Sequence, residues 1–141
     1  PQERLGISIG GLAMAESALA HTIEYVKERK AFGKPIAGFQ NTQFKIAEMH
    51  TKLEVARAYV DRCLELHLKK ELDIPTAAAG KYYITDLQCE VIDECLQLHG
   101  GYGYMWEYPI ARMFADARVQ RIYGGTNEIM KTIIARAVLA D

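Results

Sequence analysis

Three short stretches combine residue types that suit an anionic or flat ligand. In Glu28–Arg29–Lys30–Ala31–Phe32–Gly33, cations sit where a helix should end, beside a ring and a turn. An arginine fork there can grip a phosphate or pyrophosphate at two points. The same cations also suit the negative end of a helix dipole with no ligand at all. Gln97–Leu98–His99–Gly100–Gly101–Tyr102–Gly103–Tyr104 offers backbone bare of side chains, where such a group can come close, although glycines also simply stop a helix. Tyr123–Gly124–Gly125–Thr126–Asn127 leads into a last helical segment whose first N–H groups are free to receive an anion. Glu3, beside Arg4, reads on its own as an ordinary surface carboxylate.

Other site chemistries find no support. A di-iron bundle needs paired Glu-x-x-His motifs, and none of His21, His50, His67 or His99 has a glutamate three residues before it. Cys63 with His67, and Cys95 with His99, share a helical spacing that admits zinc. Thiols embedded in apolar stripes read as core, however, so no metal is expected. There is no GxGxxG or GxxxxGK phosphate loop.

The elements that must position these stretches are helical. Leu5, Ile9, Leu12, Leu19, Ile23 and Val26 predict a helix over 5–31, which Gly6, Gly10 and Gly11 weaken unless a backbone or ligand passes close by. Phe44, Ala47, Leu53, Ala56, Val60, Cys63 and Leu64 predict a second over 40–70. After the Asp73–Ile74–Pro75 break, with Thr76 as cap, Ile84, Leu87, Val91, Cys95 and Leu98 predict a third over 77–98. Pro109 opens a short helix carrying Ile110, Met113 and Phe114. Thr126 caps a final one over 127–139 that packs through Ile129, Ile133 and Ala137, widened by Met130, Ile134 and Val138. Trp106 and Tyr108 read as packing groups. Nothing alternates with period two, so no strand is expected. The expected fold is all-α, an antiparallel up-and-down four-helix bundle with an additional short helix.

Composition narrows the function classes. The 141 residues suit one domain, and 17 basic against 18 acidic groups, net −1, give no general attraction to nucleic acid or anionic membrane. No apolar run is long enough for a membrane span. Cys63, Cys89 and Cys95 are odd in number and form no CxxC, which points to free thiols in a reducing compartment. The sequence enters patterned helix directly after Pro1 with no secretion signal, and is expected to be a piece of a longer chain.

Taken together, Glu28–Gly33, Phe39–Gln40, Gln97–Tyr104, Glu107–Tyr108–Pro109, Arg112, Asp116–Ala117–Arg118 and Ile122–Glu128 resemble, in order and spacing, the C-terminal domain of acyl-CoA dehydrogenases. The resemblance covers essentially the whole of 1–141. It implies a flavoenzyme that makes a trans-2,3 double bond in an acyl-CoA, assembled as a dimer of dimers. Its reduced FAD would be reoxidised by electron-transfer flavoprotein, in bacterial cytoplasm or mitochondrial matrix. By the same resemblance Arg29, Phe32 and Gln40, with Gln97, Leu98, His99, Gly100 and Gly101, would contact the FAD of a neighbouring subunit. Thr126, Asn127 and Glu128 would meet the subunit's own FAD. Arg4, Tyr123 and Gly125 would lie toward the substrate. The isolated domain, lacking the β-domain that holds much of the flavin, is expected to be inactive.

One position departs from the family's commonest pattern. Most members carry the catalytic glutamate directly after the Tyr of Tyr-x-Gly-Thr, where this chain has Gly124. The long-chain and isovaleryl branches instead place it on the first helix before an arginine, where this chain has Glu3 and Arg4. The resemblance therefore makes Glu3 the base that removes the α-proton, and Gln97–Pro109 looks closest to the long-chain branch. A branched short-chain dehydrogenase and a non-catalytic association domain are the alternatives.

Overall fold

The computed structural model describes residues 1–140. Its elements run in the order α1 (Gln2–Glu28), β1 (Lys30–Ala31), β2 (Lys34–Pro35), α2 (Gln40–Leu68), α3 (Ile74–His99), α4 (Pro109–Ala117) and α5 (Asn127–Val138). Single stretches of 3-10 helix occupy Ile36–Gly38, Gly100–Tyr104 and Arg118–Arg121.

Contacts between helices set their directions. The Tyr25 hydroxyl near the end of α1 donates to the His99 carbonyl at the end of α3 at 3.2 Å, so these two run in parallel. Lys45 and Lys52, early in α2, pair with Glu94 and Glu90, late in α3, and Arg57 reaches Glu16 of α1, so α2 runs the other way. α5 begins against Thr85 and descends past Tyr82, whose ring lies 4.8 Å from Lys131 Nζ. The fold is therefore the expected all-α up-and-down bundle of four long helices, with α4 as the additional short one.

α3 is the central element and packs against each of the other four. Leu12, Leu19, Met49, Leu53, Val60, Ile84, Leu87, Val91, Ile92 and Ile110 form one buried cluster around it. A fully buried side chain of this size contributes about 1.5–3 kcal/mol, whereas the half-exposed ion pairs on the rim contribute little.

Several boundaries differ from the sequence expectation. α1 stops at Glu28 because Arg29 is extended, and its carbonyl accepts from the Ile36 N–H at 2.8 Å to continue a hairpin ladder. That hairpin is the unexpected strand pair; two residues per strand cannot show an alternating pattern. Its turn places Phe32 and Gly33 at positive φ, 53° and 83°, the geometry of tight hairpin connections. α3 begins at Ile74, capped by Asp73, whose carboxylate accepts from the Thr76 N–H at 2.7 Å. Thr76 is therefore the recipient and not the cap, while Thr126 does cap α5 through the Ile129 N–H. Phe44 and Ala47 are exposed, and Met49 takes their place in the core. On α5 only Met130 of the predicted apolar stripe is fully buried, with Ile129, Ala137 and Val138 exposed. Trp106 is also exposed, whereas Tyr108 packs against the rings of Tyr25, His99 and Tyr102. Cys63, Cys89 and Cys95 are free thiols.

Candidate functional site

The two ends of α1 carry two separate groups of candidate residues. Glu3 and Arg29 are divided by almost the whole helix, about 40 Å at 1.5 Å per residue.

At the Arg29 end, a cleft of about 550 Å³ is lined by Tyr25, Arg29, Gln97, Leu98, His99, Gly100, Gly101 and Tyr102, among others. Arg29, on the extended residue after α1, lays its guanidinium 5.1 Å from the centroid of the Tyr102 ring. Gly100, at φ 59°, and Gly101 have no neighbouring atom within 4 Å of where a side chain would start. Both therefore present open backbone to the cleft. Gly103 does not: a Cβ there would sit 2.6 Å from the Leu96 carbonyl oxygen, so this glycine serves packing. His99 lines the cleft but its ring belongs to the interior. It stacks on Tyr25 with centroids 4.2 Å apart, and Nδ1 meets the Cys95 carbonyl at 2.8 Å. Burial lowers its pKa, partly opposed by that carbonyl. Burial likewise raises the Tyr25 hydroxyl, opposed by Arg29. Phe32, 98% exposed at the hairpin tip, and Gln40, the first residue of α2, lie outside the cleft lining. A cationic fork, an aromatic ring and side-chain-free backbone facing one cleft fit the diphosphate portion of a dinucleotide.

At the Glu3 end, the structure joins residues from opposite ends of the sequence. A Cβ built on Gly124 would lie 3.9 Å from Glu3 Oε1 and 2.5 Å from Ile7 Cδ1. Ile7 is one helical turn beyond Glu3 on the same face, so its side chain occupies the volume that a longer residue at 124 would need. Glu3 is exposed and enters no ion pair among the described residues. Arg4 is partly buried, its carbonyl accepting from Ser8 Oγ at 3.0 Å. Tyr123 is exposed beside this turn. Gly6 and Gly10 face open space, whereas Gly11 lets α1 close on α3, its Cβ position 3.0 Å from Gln88 Oε1.

The Gly124–Gly125 turn is held from below by a residue that the sequence reading passed over. Lys81 of α3 is 0% exposed. Its ammonium donates to the Gly125 carbonyl at 2.7 Å and to Asn127 Oδ1 at 2.8 Å. Burial lowers its pKa, with Asp86 as the main opposing charge. The Asn127 amide donates in turn to Thr85 Oγ1 and Asp86 Oδ1, both at 2.9 Å. Asn127 is therefore buried, with its side chain engaged inside the protein. Glu128 stays exposed at the start of α5, its carboxyl held below the usual range by a backbone N–H there. The available signal for Lys81 was a charged residue inside the buried stripe of Ala77, Ala78, Ile84 and Gln88. No group of three or more metal-ligating side chains is found among the described residues. No described helix is long and apolar enough to cross a membrane.

The family model described as acyl-CoA dehydrogenase, C-terminal domain, matches residues 1–139. The chain is 55% identical over all 141 residues to the mitochondrial long-chain specific acyl-CoA dehydrogenase of Mus musculus, of which it covers 33%. An acyl-CoA dehydrogenase structure from Geobacillus kaustophilus superposes with a TM-score of 0.96 at 46% identity, over 98% of this chain and 36% of that one. A glutaryl-CoA dehydrogenase from Mycobacterium smegmatis, solved in complex with FADH2, superposes at 0.94 with 28% identity, over 98% of this chain and 36% of that one. The chain belongs to the acyl-CoA dehydrogenase family, as its helical C-terminal domain. It spans about a third of the length of the relatives it matches.

Proposed function

We propose that this domain works within a longer FAD-dependent enzyme that dehydrogenates acyl-CoA thioesters, of long-chain type, with Glu3 as its base. The observation that carries the reading is the meeting of Glu3 with Gly124. The carboxylate sits 3.9 Å from the point where a side chain at 124 would begin. A glutamate spans roughly 3.5 Å from Cβ to carboxylate oxygen, by the lengths of three bonds. A carboxylate from either backbone can therefore serve one neighbourhood, as a general base requires. Two carboxylates there would repel, and the chain has one.

In this reading Glu3 takes the proton from the α-carbon. FAD, when bound, would supply the acceptor for the β-hydrogen, as hydride at N5, and electron-transfer flavoprotein is the partner such chemistry calls for. Gly125, Tyr123 and Arg4 flank the thioester region. Thr126, Asn127 and Glu128 meet the subunit's own FAD, and the Asn127 side chain also ties their turn to Thr85 and Asp86. Arg29 and Gln97–Gly101 hold the diphosphate side of another. The helix length between the two groups is more than a single dinucleotide reaches, which supports two flavins per domain and so a homo-oligomer, a dimer of dimers in the complete protein. Mitochondrial matrix or bacterial cytoplasm suits such an enzyme.

The test uses the full-length protein and acyl-CoAs of graded chain length with an artificial electron acceptor. Glu3→Gln should leave FAD bound and lower kcat by about 10²–10⁴. Near-normal turnover would remove Glu3 from the reaction, and a preference for branched short substrates would remove the long-chain assignment.

A further inference from the structure

Lysine is among the residues least often found fully buried, and its uncompensated burial is costly. Lys81 nevertheless occupies a position in α3 that its neighbours Ala77, Ala78 and Ile84 fill with apolar groups. No carboxylate is directly bonded to it among the described residues; its acceptors are a backbone carbonyl and an amide oxygen. A well-packed apolar residue is often as stable as a buried ion in such a place. Bundle stability therefore gives little reason for a lysine here, whereas what it holds supplies one.

It holds one peptide unit by its oxygen. The Gly125–Thr126 peptide is trans, and in a trans peptide the C=O and N–H point to opposite sides of a plane. With the Gly125 carbonyl fixed inward on Lys81, the Thr126 N–H is turned outward, away from α3. That N–H has no acceptor among the described residues. An ammonium on the carbonyl oxygen makes a charge-assisted bond, and polarisation along the amide strengthens the N–H as a donor. Gly124 and Gly125, at φ 67° and 89°, have no conformational preference of their own that would hold this orientation.

We propose that Lys81 is a positioning residue for the cofactor site: by anchoring the Gly125 carbonyl in the bundle it presents the Thr126 N–H to an acceptor atom of bound FAD. The assignment rests on the function proposed above, in which this turn meets the subunit's own FAD. Lys81 touches neither flavin nor substrate in this arrangement and acts through the peptide alone.

The experiment compares full-length wild type with Lys81→Met, Lys81→Gln and Leu53→Ala, the last a core truncation in α2 that lowers stability elsewhere. Three quantities are read: melting temperature, FAD dissociation constant, and deuterium exchange in the segment 122–128. Lys81→Met should raise the FAD dissociation constant at least tenfold and speed exchange in that segment at least tenfold. Lys81→Gln, which keeps a neutral donor, should fall between it and wild type. Leu53→Ala should melt at a similarly lowered temperature with FAD affinity within twofold of wild type. Should Lys81→Met fail to fold, the Gln variant carries the same comparison. Unchanged exchange in 122–128 for both Lys81 variants would overturn the assignment, and so would FAD loss that simply tracks melting temperature across all variants. A wild-type protein that binds no flavin would defeat the function proposed above and, with it, the flavin role of Lys81. The exchange data would then still decide whether the lysine holds the turn.

Discussion

If Glu3 and position 124 serve the same reacting carbon, the base should be movable, and the structure says at what cost. The perturbation is Glu3→Gly combined with Gly124→Glu. Glutamate at 124 would adopt φ near 67°, a left-handed conformation that costs an L-residue about 1–2 kcal/mol. Its Cβ would also lie 2.5 Å from Ile7 Cδ1, and overpacking of this kind costs about 1–3 kcal/mol. The double variant should therefore lose on the order of 2–5 kcal/mol, with the new carboxylate displaced by the isoleucine. Ile7→Val removes the single obstructing atom, for about 0.5–1.5 kcal/mol where fully buried and less at this half-buried site.

The expected order of kcat, measured on full-length protein with a saturated acyl-CoA and an artificial acceptor, follows from these terms. Glu3→Gly should be slowest. The double variant should recover a small part of the activity, and the triple variant with Ile7→Val should exceed the double by tenfold or more. Denaturant unfolding should show the triple variant regaining the overpacking term less the cost of the lost methyl, a net of about 0–2.5 kcal/mol over the double. A triple variant that is folded and FAD-loaded but no faster than Glu3→Gly would refute the shared neighbourhood. Full activity in the double variant would refute the obstruction by Ile7.

Two further outcomes concern the cleft at the other end of α1. His99 has a folded-state pKa lowered by burial, so the unfolded chain binds more protons below the ordinary histidine value of about 6.5. Stability should then rise with pH through that region and fall on acidification below it. Melting temperature compared between wild type and His99→Gln from pH 7 to 5 should show a shallower acid loss in the variant, and parallel curves would contradict it. Gly103→Ala drives a methyl group to 2.6 Å from the Leu96 carbonyl. Because the obstacle is backbone, denaturant unfolding should show a loss of at least about 1–3 kcal/mol, whereas Gly101→Ala, facing open space, should cost under about 1 kcal/mol by the same measurement.

The bundle was legible because its signal is periodic and long. α2 and α3 repeat their apolar positions over many turns, so existence and order of the helices follow from spacing alone. What failed was local chemistry at the ends. Arg29 leaves the helix because Ile36, seven residues on, claims its carbonyl, and Asp73 rather than Thr76 supplies the cap. Both are choices between adjacent residues that periodicity does not rank. The glycines show the same limit: Gly101 and Gly103 look alike as letters, yet one faces a cleft and the other a carbonyl oxygen.

The candidate site divides in the same way. Arg29 and Gln97–Gly101 could be grouped from the sequence because each is a compact run with its own chemistry. The Lys81 network could not, since its acceptors lie 44 and 46 positions away, and within its own helix the residue is only a charge out of place. Glu3 is the intermediate case. Nothing near it distinguishes it from a surface carboxylate, and its weight came from the missing side chain at 124. The structure adds a third member to that pair: the same helical turn that brings in the carboxylate brings in Ile7, whose methyl occupies the vacated volume. With the base on α1, as proposed, position 124 accepts less, so a return to the commoner arrangement would need a change at Ile7 as well as at Glu3 and Gly124.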